Sequence, residues 1–162
     1  CKIVIEFEKT DVVSKSNAYQ ILGDLYAKSE NYSQAENYIL SAKNLTPNEP
    51  NIYAALADLN IKQKKYQEAE KQASAAITLS PTKASSYLKL ATAVYMQERY
   101  ADAIKISERS LLLTDTDVSL LDSSKKAVKK DICYVLTFSY KRLGDAANSK
   151  KYEDLAKSLE KN

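Results

Sequence analysis

Histidine is absent from the 162 residues of this chain. Histidine is the commonest general base and the commonest transition-metal ligand in proteins, so its absence excludes every Ser-His or Cys-His catalytic pair. The sequence also lacks a glycine-rich phosphate loop, and its carboxylates are scattered among helix-forming residues. We therefore expect a protein that is not an enzyme, with no catalytic residue, no metal site, no cofactor and no small-molecule substrate.

Cysteine is scarce as well, with only Cys1 and Cys133. They are far apart and form no CxxC motif, which argues against a zinc site or a disulfide framework. Cys133 is predicted to be a small buried apolar residue. Cys1 has two interpretations: a trimmed boundary, which the apolar stretch after it favours, or the lipidated first residue of a bacterial lipoprotein. The first predicts a cytoplasmic protein, and the second a periplasmic or outer-membrane-attached one.

Glycine occurs twice and proline three times, which leaves long stretches rich in Ala, Leu, Lys, Glu and Gln. These residues favour helices, so the composition predicts an all-α fold. No apolar run approaches the length needed to cross a bilayer. The formal net charge of +3 is too small to indicate a polyanionic partner, so we do not expect nucleic-acid binding.

What the sequence does contain is an internal repeat of 34 residues, because Tyr19 and Tyr53 begin a series of matched positions (53 − 19 = 34). Within each unit the apolar spacing is helical, and a short polar turn divides the unit in two. Each unit is therefore predicted to be a pair of antiparallel helices. The matching columns are Tyr19, Tyr53 and Tyr87; Leu22, Leu56 and Leu90; Gly23, Ala57 and Ala91; Tyr32, Tyr66 and Tyr100; and Ala35, Ala69 and Ala103.

The glycine and alanine columns allow the two helix axes of a pair to approach closely, while tyrosine and leucine fill the space beside them. Proline disfavours helix in the residue before it, so the second helices should end before the residue that precedes Pro47 and Pro81. Ser33 and Glu36 have the spacing of a capping box, and Asn48 is a predicted cap of the next helix.

These columns resemble the tetratricopeptide repeat pattern, in which W-x2-L-G-x2-Y is followed by A-x3-F and then by proline. The first unit has Tyr19, Leu22, Gly23 and Tyr26, then Ala35, Ile39 and Pro47. A divergent fourth unit has Cys133, Leu136, Thr137 and Tyr140, then Ser149 and Glu153. Its offset from the third unit is 46 (133 − 87), so 12 residues are inserted (46 − 34).

The resemblance covers nearly the whole chain and implies a series of repeats, an insertion and a polar capping helix at the end. The insertion is predicted to lengthen the first helix of the fourth unit, and a flexible loop is the alternative. The N-terminal segment is either a remnant of a preceding repeat or a strand. The predicted divisions are an N-terminal segment at 1–15, repeats at 16–49, 50–83 and 84–117, the insertion at 118–129, and the divergent repeat with its capping helix at 130–162.

The resemblance further implies a right-handed α-solenoid whose concave wall is formed by the first helix of each unit. Proteins of this kind bind a peptide or helix of another protein in the concave groove. We therefore expect an interaction module or scaffold; a lipid-anchored envelope assembly factor and a regulatory region of a larger enzyme are the alternatives. The partner-binding residues predicted on this wall are Gln20, Asp24, Lys28, Asp58, Lys62, Leu88, Thr92, Tyr95, Tyr134, Phe138, Lys141 and Arg142.

Two features of this wall are informative. Tyr95, Tyr134 and Phe138 are predicted to form an aromatic trough that dominates binding, and the alternative is that these rings pack against the insertion or the last helix.

One subclass of the family binds a C-terminal carboxylate through five conserved Lys, Arg and Asn side chains. At the corresponding places this chain has Gln20, Asp24, Ala55, Ser85 and Lys89, so the clamp is not expected.

Overall fold

Eight α-helices account for most of residues 11–117 and 121–161, which the structure, a computed structural model, describes. No strand occurs in these two ranges, and the predicted all-α fold is confirmed. The second helices of the first two units end at Leu45 and Leu79, as the prolines predict. The helices are α1 (Val12–Lys28), α2 (Tyr32–Leu45), α3 (Pro50–Lys62), α4 (Tyr66–Leu79), α5 (Ala84–Met96), α6 (Tyr100–Thr116), α7 (Asp122–Arg142) and α8 (Ala146–Lys161).

Consecutive helices pair into four antiparallel hairpins, and small residues lie where the two helices of a hairpin meet. A Cβ atom at Gly23 would lie 2.5 Å from Cγ1 of Ile39 and 3.3 Å from the carbonyl oxygen of Ala35, both in α2. No side chain fits there without displacing α2, so α1 and α2 approach almost backbone to backbone. The alanines of the same columns are completely buried in the other hairpins: Ala57, Ala69, Ala91 and Ala103.

Each hairpin packs against the next through apolar side chains. Ile52 and Leu59 of α3 belong to one core cluster with Ile39 and Ala42 of the preceding hairpin. Both α3 side chains are almost completely buried, with 0% and 2% of their surfaces exposed. These contacts between hairpins bury side chains that a single hairpin would leave exposed, as expected for a solenoid.

The last hairpin joins the stack in the same way. Ile132, Cys133 and Leu136 of α7 are completely buried in a second core cluster with Ile104 of α6 and Tyr152 of α8. Cys133 is a free thiol, and burial raises its pKa. The sequence-based prediction that Cys133 is a small buried apolar residue is confirmed.

The turn inside every hairpin has one backbone geometry. The residue at the turn adopts the left-handed conformation in all four, with φ of 59° at Glu30, 59° at Lys64, 63° at Glu98 and 78° at Gly144. In each turn the next N–H donates to the carbonyl five residues earlier, as from Asp145 to the carbonyl of Tyr140 at 3.0 Å. This Schellman arrangement satisfies the last carbonyls of the first helix.

Two helix caps differ from those that the sequence predicts. Asn31 Oδ1 accepts a hydrogen bond from a backbone N–H of α2 at 3.3 Å, so Ser33 already lies inside that helix. Glu49, and not Asn48, caps α3 by accepting a hydrogen bond from the N–H of Asn51 at 3.2 Å. The last residue of the Schellman turn leads directly into the helix, so α2 begins earlier than the predicted capping box at Ser33 and Glu36.

The segments outside the four repeat units are only partly described. α1 begins at Val12, before the predicted repeat at 16–49, and Asp11 caps it by accepting a hydrogen bond from the N–H of Ser14 at 3.4 Å. The choice between helix and strand for the N-terminal segment concerns residues 1–10, which lie outside the described residues. Of the insertion, residues 122–129 belong to α7, and 118–120 lie outside the described residues.

The turns give a direct test of backbone strain. Gly144→Ala should lower the free energy of unfolding by about 1 kcal/mol, because an L-residue pays a steric cost in the left-handed region. A Cβ at Gly144 meets no atom within 4 Å, so packing does not contribute. Urea unfolding of the variant measures the difference, and Glu98→Gly should shift stability in the opposite direction. Equal stability of Gly144→Ala and the unmodified protein would contradict this.

Candidate functional site

Side chains at equivalent repeat positions of α1, α3 and α5 form the wall of a groove along the stack. They surround a cavity of about 690 Å³. Five of the predicted partner-binding residues, Gln20, Asp24, Lys28, Asp58 and Lys62, lie together here. The complete lining is Asn17, Gln20, Ile21, Asp24, Ala27, Lys28, Asn51, Ala54, Ala55, Asp58, Lys62, Ser85 and Lys89.

Three rows of identical side chains run across this groove because the repeat places them at one position of successive first helices. The spacing within each row is 34 residues, as between Asn17 and Asn51 (51 − 17). A wall that repeats the same donors and acceptors suits an extended chain, which presents its own groups periodically. The rows are Asn17 with Asn51, Asp24 with Asp58, and Lys28 with Lys62.

Two of these side chains are held by the following hairpin. Nζ of Lys89 lies 3.1 Å from Oδ1 of Asp58, and both side chains are partly buried. Nζ of Lys83 donates a hydrogen bond to Oδ1 of Asn51. These two contacts connect Asp58 and Asn51 of α3 to the third hairpin.

Asp24 differs from Asp58. Its carboxylate has no hydrogen bond or salt bridge to any described residue. Partial desolvation in the groove raises its pKa above 3.8, and repulsion from Asp58 adds to this, while Lys28 and Lys89 oppose it. The groove thus destabilises the ionised form of the Asp24 carboxyl relative to its protonated form.

The residues at the five positions of the carboxylate clamp all line this cavity: Gln20, Asp24, Ala55, Ser85 and Lys89. Lys89 is the one cation among them, and it already pairs with Asp58. Lys89 was identified from the sequence as the last of the five clamp places but is not among the predicted partner-binding residues, and its repeat position is that of Ile21 and Ala55 (89 − 55 and 55 − 21 are both 34).

Three other predicted residues lie elsewhere. Tyr134 and Phe138 have parallel rings 6.4 Å apart and, with Lys141, line a second cavity of about 750 Å³ between α7 and α8. The hydroxyl of Tyr134 donates to Oε1 of Glu160 in α8 at 2.8 Å. Residues of α8 that the sequence did not indicate also line this cavity: Ser149, Lys150, Glu153, Asp154 and Lys157.

The remaining predicted residues line neither cavity. The ring of Tyr95 lies 5.5 Å from that of Tyr100, and the guanidinium of Arg142 lies 5.9 Å from the Tyr100 ring. Leu88 packs against the second core cluster, and the hydroxyl of Thr92 donates to the carbonyl of Leu88 at 2.9 Å. Tyr95 therefore lies beside Tyr100 and Arg142 and does not line the cavity that Tyr134 and Phe138 share, and the trough of the three rings stays a prediction.

Other kinds of site were sought in the same residues. Within 11–117 and 121–161, no group of three or more acidic or cysteine side chains is placed to hold a metal ion. None of the eight helices is long and apolar enough to span a membrane.

The family model described as Tetratricopeptide repeat matches residues 21–84 and 54–115, more than half of the chain. The chain belongs to the tetratricopeptide repeat family. The family is a protein-interaction fold, and its members generally are not enzymes. No curated protein matches the sequence significantly.

Solved structures show the same right-handed α-solenoid. BtubC from P. vanneervenii is 19% identical, with a TM-score of 0.75 over 97% of this chain and 67% of BtubC. Pseudomonas aeruginosa pilF is 20% identical, with a TM-score of 0.74 over 91% of this chain and 62% of pilF. The first repeat domain of Spaghetti (RPAP3), bound to the HSP90 peptide SRMEEVD, is 20% identical, with a TM-score of 0.60 over 74% of this chain and 91% of that domain.

The unpaired charge of Asp24 predicts an unusual pH dependence. A raised pKa means that the folded state binds the proton more tightly than the unfolded state, so ionisation of Asp24 opposes folding. Asp24→Asn should therefore increase the free energy of unfolding at neutral pH. The gain should shrink as the pH falls through the raised pKa and vanish below 3.8, the ordinary pKa of the group.

Asp145 provides the control with the opposite sign. A hydrogen bond from the backbone N–H of Asn148 lowers the pKa of Asp145, so its ionised form supports folding. Asp145→Asn should lose stability at neutral pH, with the loss vanishing in acid. Urea unfolding of both variants across the acid range checks the two signs, and a loss of stability in Asp24→Asn at neutral pH would contradict the account.

Proposed function

We propose that this chain binds an extended, basic segment of another protein in the groove formed by α1, α3 and α5. The observation that carries the proposal is the Asp24 carboxylate, which has no hydrogen bond or salt bridge among the described residues and faces a cavity of about 690 Å³. A Lys or Arg side chain beside Asp24 relieves its repulsion from Asp58. The cation of the bound segment then adds to the attraction of Lys28 and Lys89, which only partly offsets the unfavourable environment of the Asp24 carboxylate.

The asparagine row of the groove suits the main chain of an extended basic segment, and the lysine row sets its position along the groove. The amides of Asn17 and Asn51 offer a donor and an acceptor each, which matches the peptide groups of an extended segment. The exposed Lys28 and Lys62 repel cations at their own edge of the groove. A basic side chain is therefore directed toward Asp24, and the guest has a preferred position along the groove.

The contrast with the Spaghetti domain supports a basic guest. Its peptide, SRMEEVD, has three acidic side chains. In this chain the groove contains Asp24 and Asp58, which repel acidic side chains, and Lys89 is engaged by Asp58, while the exposed Lys28 and Lys62 lie at another edge of the same groove. An acidic tail is thus disfavoured at the place where a basic segment is favoured.

A selection of twelve-residue peptides from a random displayed library tests the proposal. We expect the selected peptides to be enriched in Lys and Arg, and their affinity to fall by about tenfold or more in Asp24→Asn/Asp58→Asn, since tenfold corresponds to about 1.4 kcal/mol. Fluorescence anisotropy of a labelled selected peptide measures the affinity. Binding should also tighten as the pH rises through the pKa of Asp24, because the guest needs the ionised form.

Glu36→Gln/Glu68→Gln is the matched control. It removes two negative charges from the second helices α2 and α4, outside the groove, and should leave the affinity unchanged. Selected peptides that are acidic, or an affinity that falls equally in both double variants, would refute groove recognition of a basic segment.

A further inference from the structure

The inner wall of the stack changes its chemistry between the first two repeats and the last two. Each first helix contacts the next first helix, so α1, α3, α5 and α7 form one wall. Two rows run along it, with one residue per repeat at spacings of 34, 34 and 46. Both rows begin with polar or small side chains and end with an aromatic ring: Gln20, Ala54, Leu88 and Tyr134, and Asp24, Asp58, Thr92 and Phe138.

The apolar half of the wall is formed by α5 and α7. Leu88 and Tyr134 both pack against the second core cluster, so one core supports both side chains. The hydroxyl of Thr92 donates to the carbonyl of Leu88, so its hydrogen-bonding group is used within α5. The rings of Tyr134 and Phe138 are stacked 6.4 Å apart, and Phe138 has 47% of its surface exposed. Exposed aromatic rings on a binding wall are typical of the residues that dominate binding energy.

A further hairpin does not suit the surface beside these rings. The face of α8 next to them has charged side chains at repeat positions that are apolar or small in α6. Burial under a further hairpin would desolvate these charges, which costs free energy. The rings therefore remain open to a guest in the groove. The pairs, each 46 residues apart, are Lys150 and Ile104, Glu153 and Ser107, and Lys157 and Leu111.

We propose that the guest of the groove has two anchors: the basic side chain beside Asp24, and an aromatic side chain that stacks on Phe138 and Tyr134. This inference rests on the proposed function, because it starts from the basic segment and adds where its other end binds. The α7 side of the second anchor site is aromatic and the α8 side is charged. A ring with a polar edge, such as that of Tyr or Trp, suits such a site better than an aliphatic side chain.

The distance between the two anchors sets the number of guest residues between them. Asp24 and Phe138 occupy one row and are three helix-to-helix steps apart, from α1 to α7. Packed helices lie about 8–10 Å apart, so the row spans about 24–30 Å. An extended chain rises about 3.3 Å per residue, so the basic and the aromatic residue should be about seven to nine positions apart.

A selection of sixteen-residue peptides from a random displayed library tests the proposal, since such peptides are long enough for both anchors. We expect the selected peptides to share a Lys or Arg and an aromatic residue at one constant interval. In a selection on Phe138→Ser, the aromatic residue should no longer be enriched while the basic residue still is. In a selection on Asp24→Asn/Asp58→Asn, the basic residue should be lost while the aromatic residue remains.

Leu112→Ser is the matched control, since Leu112 is a 70% exposed leucine of α6 that lines neither the groove nor the cavity between α7 and α8. It should select the same peptides as the unmodified chain, and circular dichroism should show all variants folded. A basic pool without an aromatic residue at a constant interval would overturn this inference and leave the proposed function in place. A pool without basic residues would refute both.

Altered versions of one selected peptide give a readout that needs no change in the protein. Fluorescence anisotropy should show that three residues, Gly-Ser-Gly, inserted between the two anchors weaken binding by about tenfold, while the same insertion outside them has no effect. An insertion between the anchors that leaves the affinity unchanged would contradict the proposal.

A double-mutant cycle then locates the aromatic anchor. Replacing the aromatic residue of the peptide with Ser should weaken binding to the unmodified chain by about tenfold. The same replacement should barely affect binding to Phe138→Ser, because the contact is already lost. Equal losses on the two proteins would show that the ring does not bind at Phe138.

Discussion

The structure depends on the close approach of two helix backbones inside each hairpin. Gly23 leaves no room for a Cβ atom against Ile39, and the alanines of the same columns, such as Ala57 and Ala69, are completely buried. A larger side chain at these positions separates the two helices, and the tyrosines and leucines beside them then lose their contacts. Because the same small residues recur every 34 positions in the first three hairpins, these hairpins share one helix-to-helix contact and stack in the same way.

The groove is a consequence of this constraint. Regular stacking places equivalent side chains of the first helices side by side. Asp24 and Asp58 therefore share the groove, and repulsion from Asp58 adds to the desolvation that raises the pKa of Asp24. The groove therefore derives from the same packing geometry as the hairpins themselves.

The sequence predicted the helices, their pairing and five of the thirteen side chains that line the groove, because these follow from the period of the repeat. Gln20, Asp24, Lys28, Asp58 and Lys62 were found in this way and lie in one cavity. It did not predict the left-handed turns at Glu30, Lys64 and Glu98, because their conformation is set by the helix-ending hydrogen bond and not by a glycine.

The position of Tyr95 was also out of reach, since its neighbour Tyr100 lies across a turn and Arg142 comes from the next hairpin. Contacts between hairpins depend on how the fourth unit is placed after an insertion of irregular length, and periodicity carries no information about that. Lys89 was placed on the wall by its repeat position, but its salt bridge with Asp58 joins two successive hairpins, and the sequence alone did not predict that pair.

The most direct measurement is urea unfolding of Ala103→Leu beside Ala101→Leu. Both residues lie in α6 two positions apart, but Ala103 is completely buried in the hairpin contact and Ala101 is exposed. Ala103→Leu should lose about 1–3 kcal/mol through overpacking, while Ala101→Leu should stay within about 0.5 kcal/mol of the unmodified protein. Equal stability of the two variants would contradict the claim that close helix contact at the small residues holds the stack together.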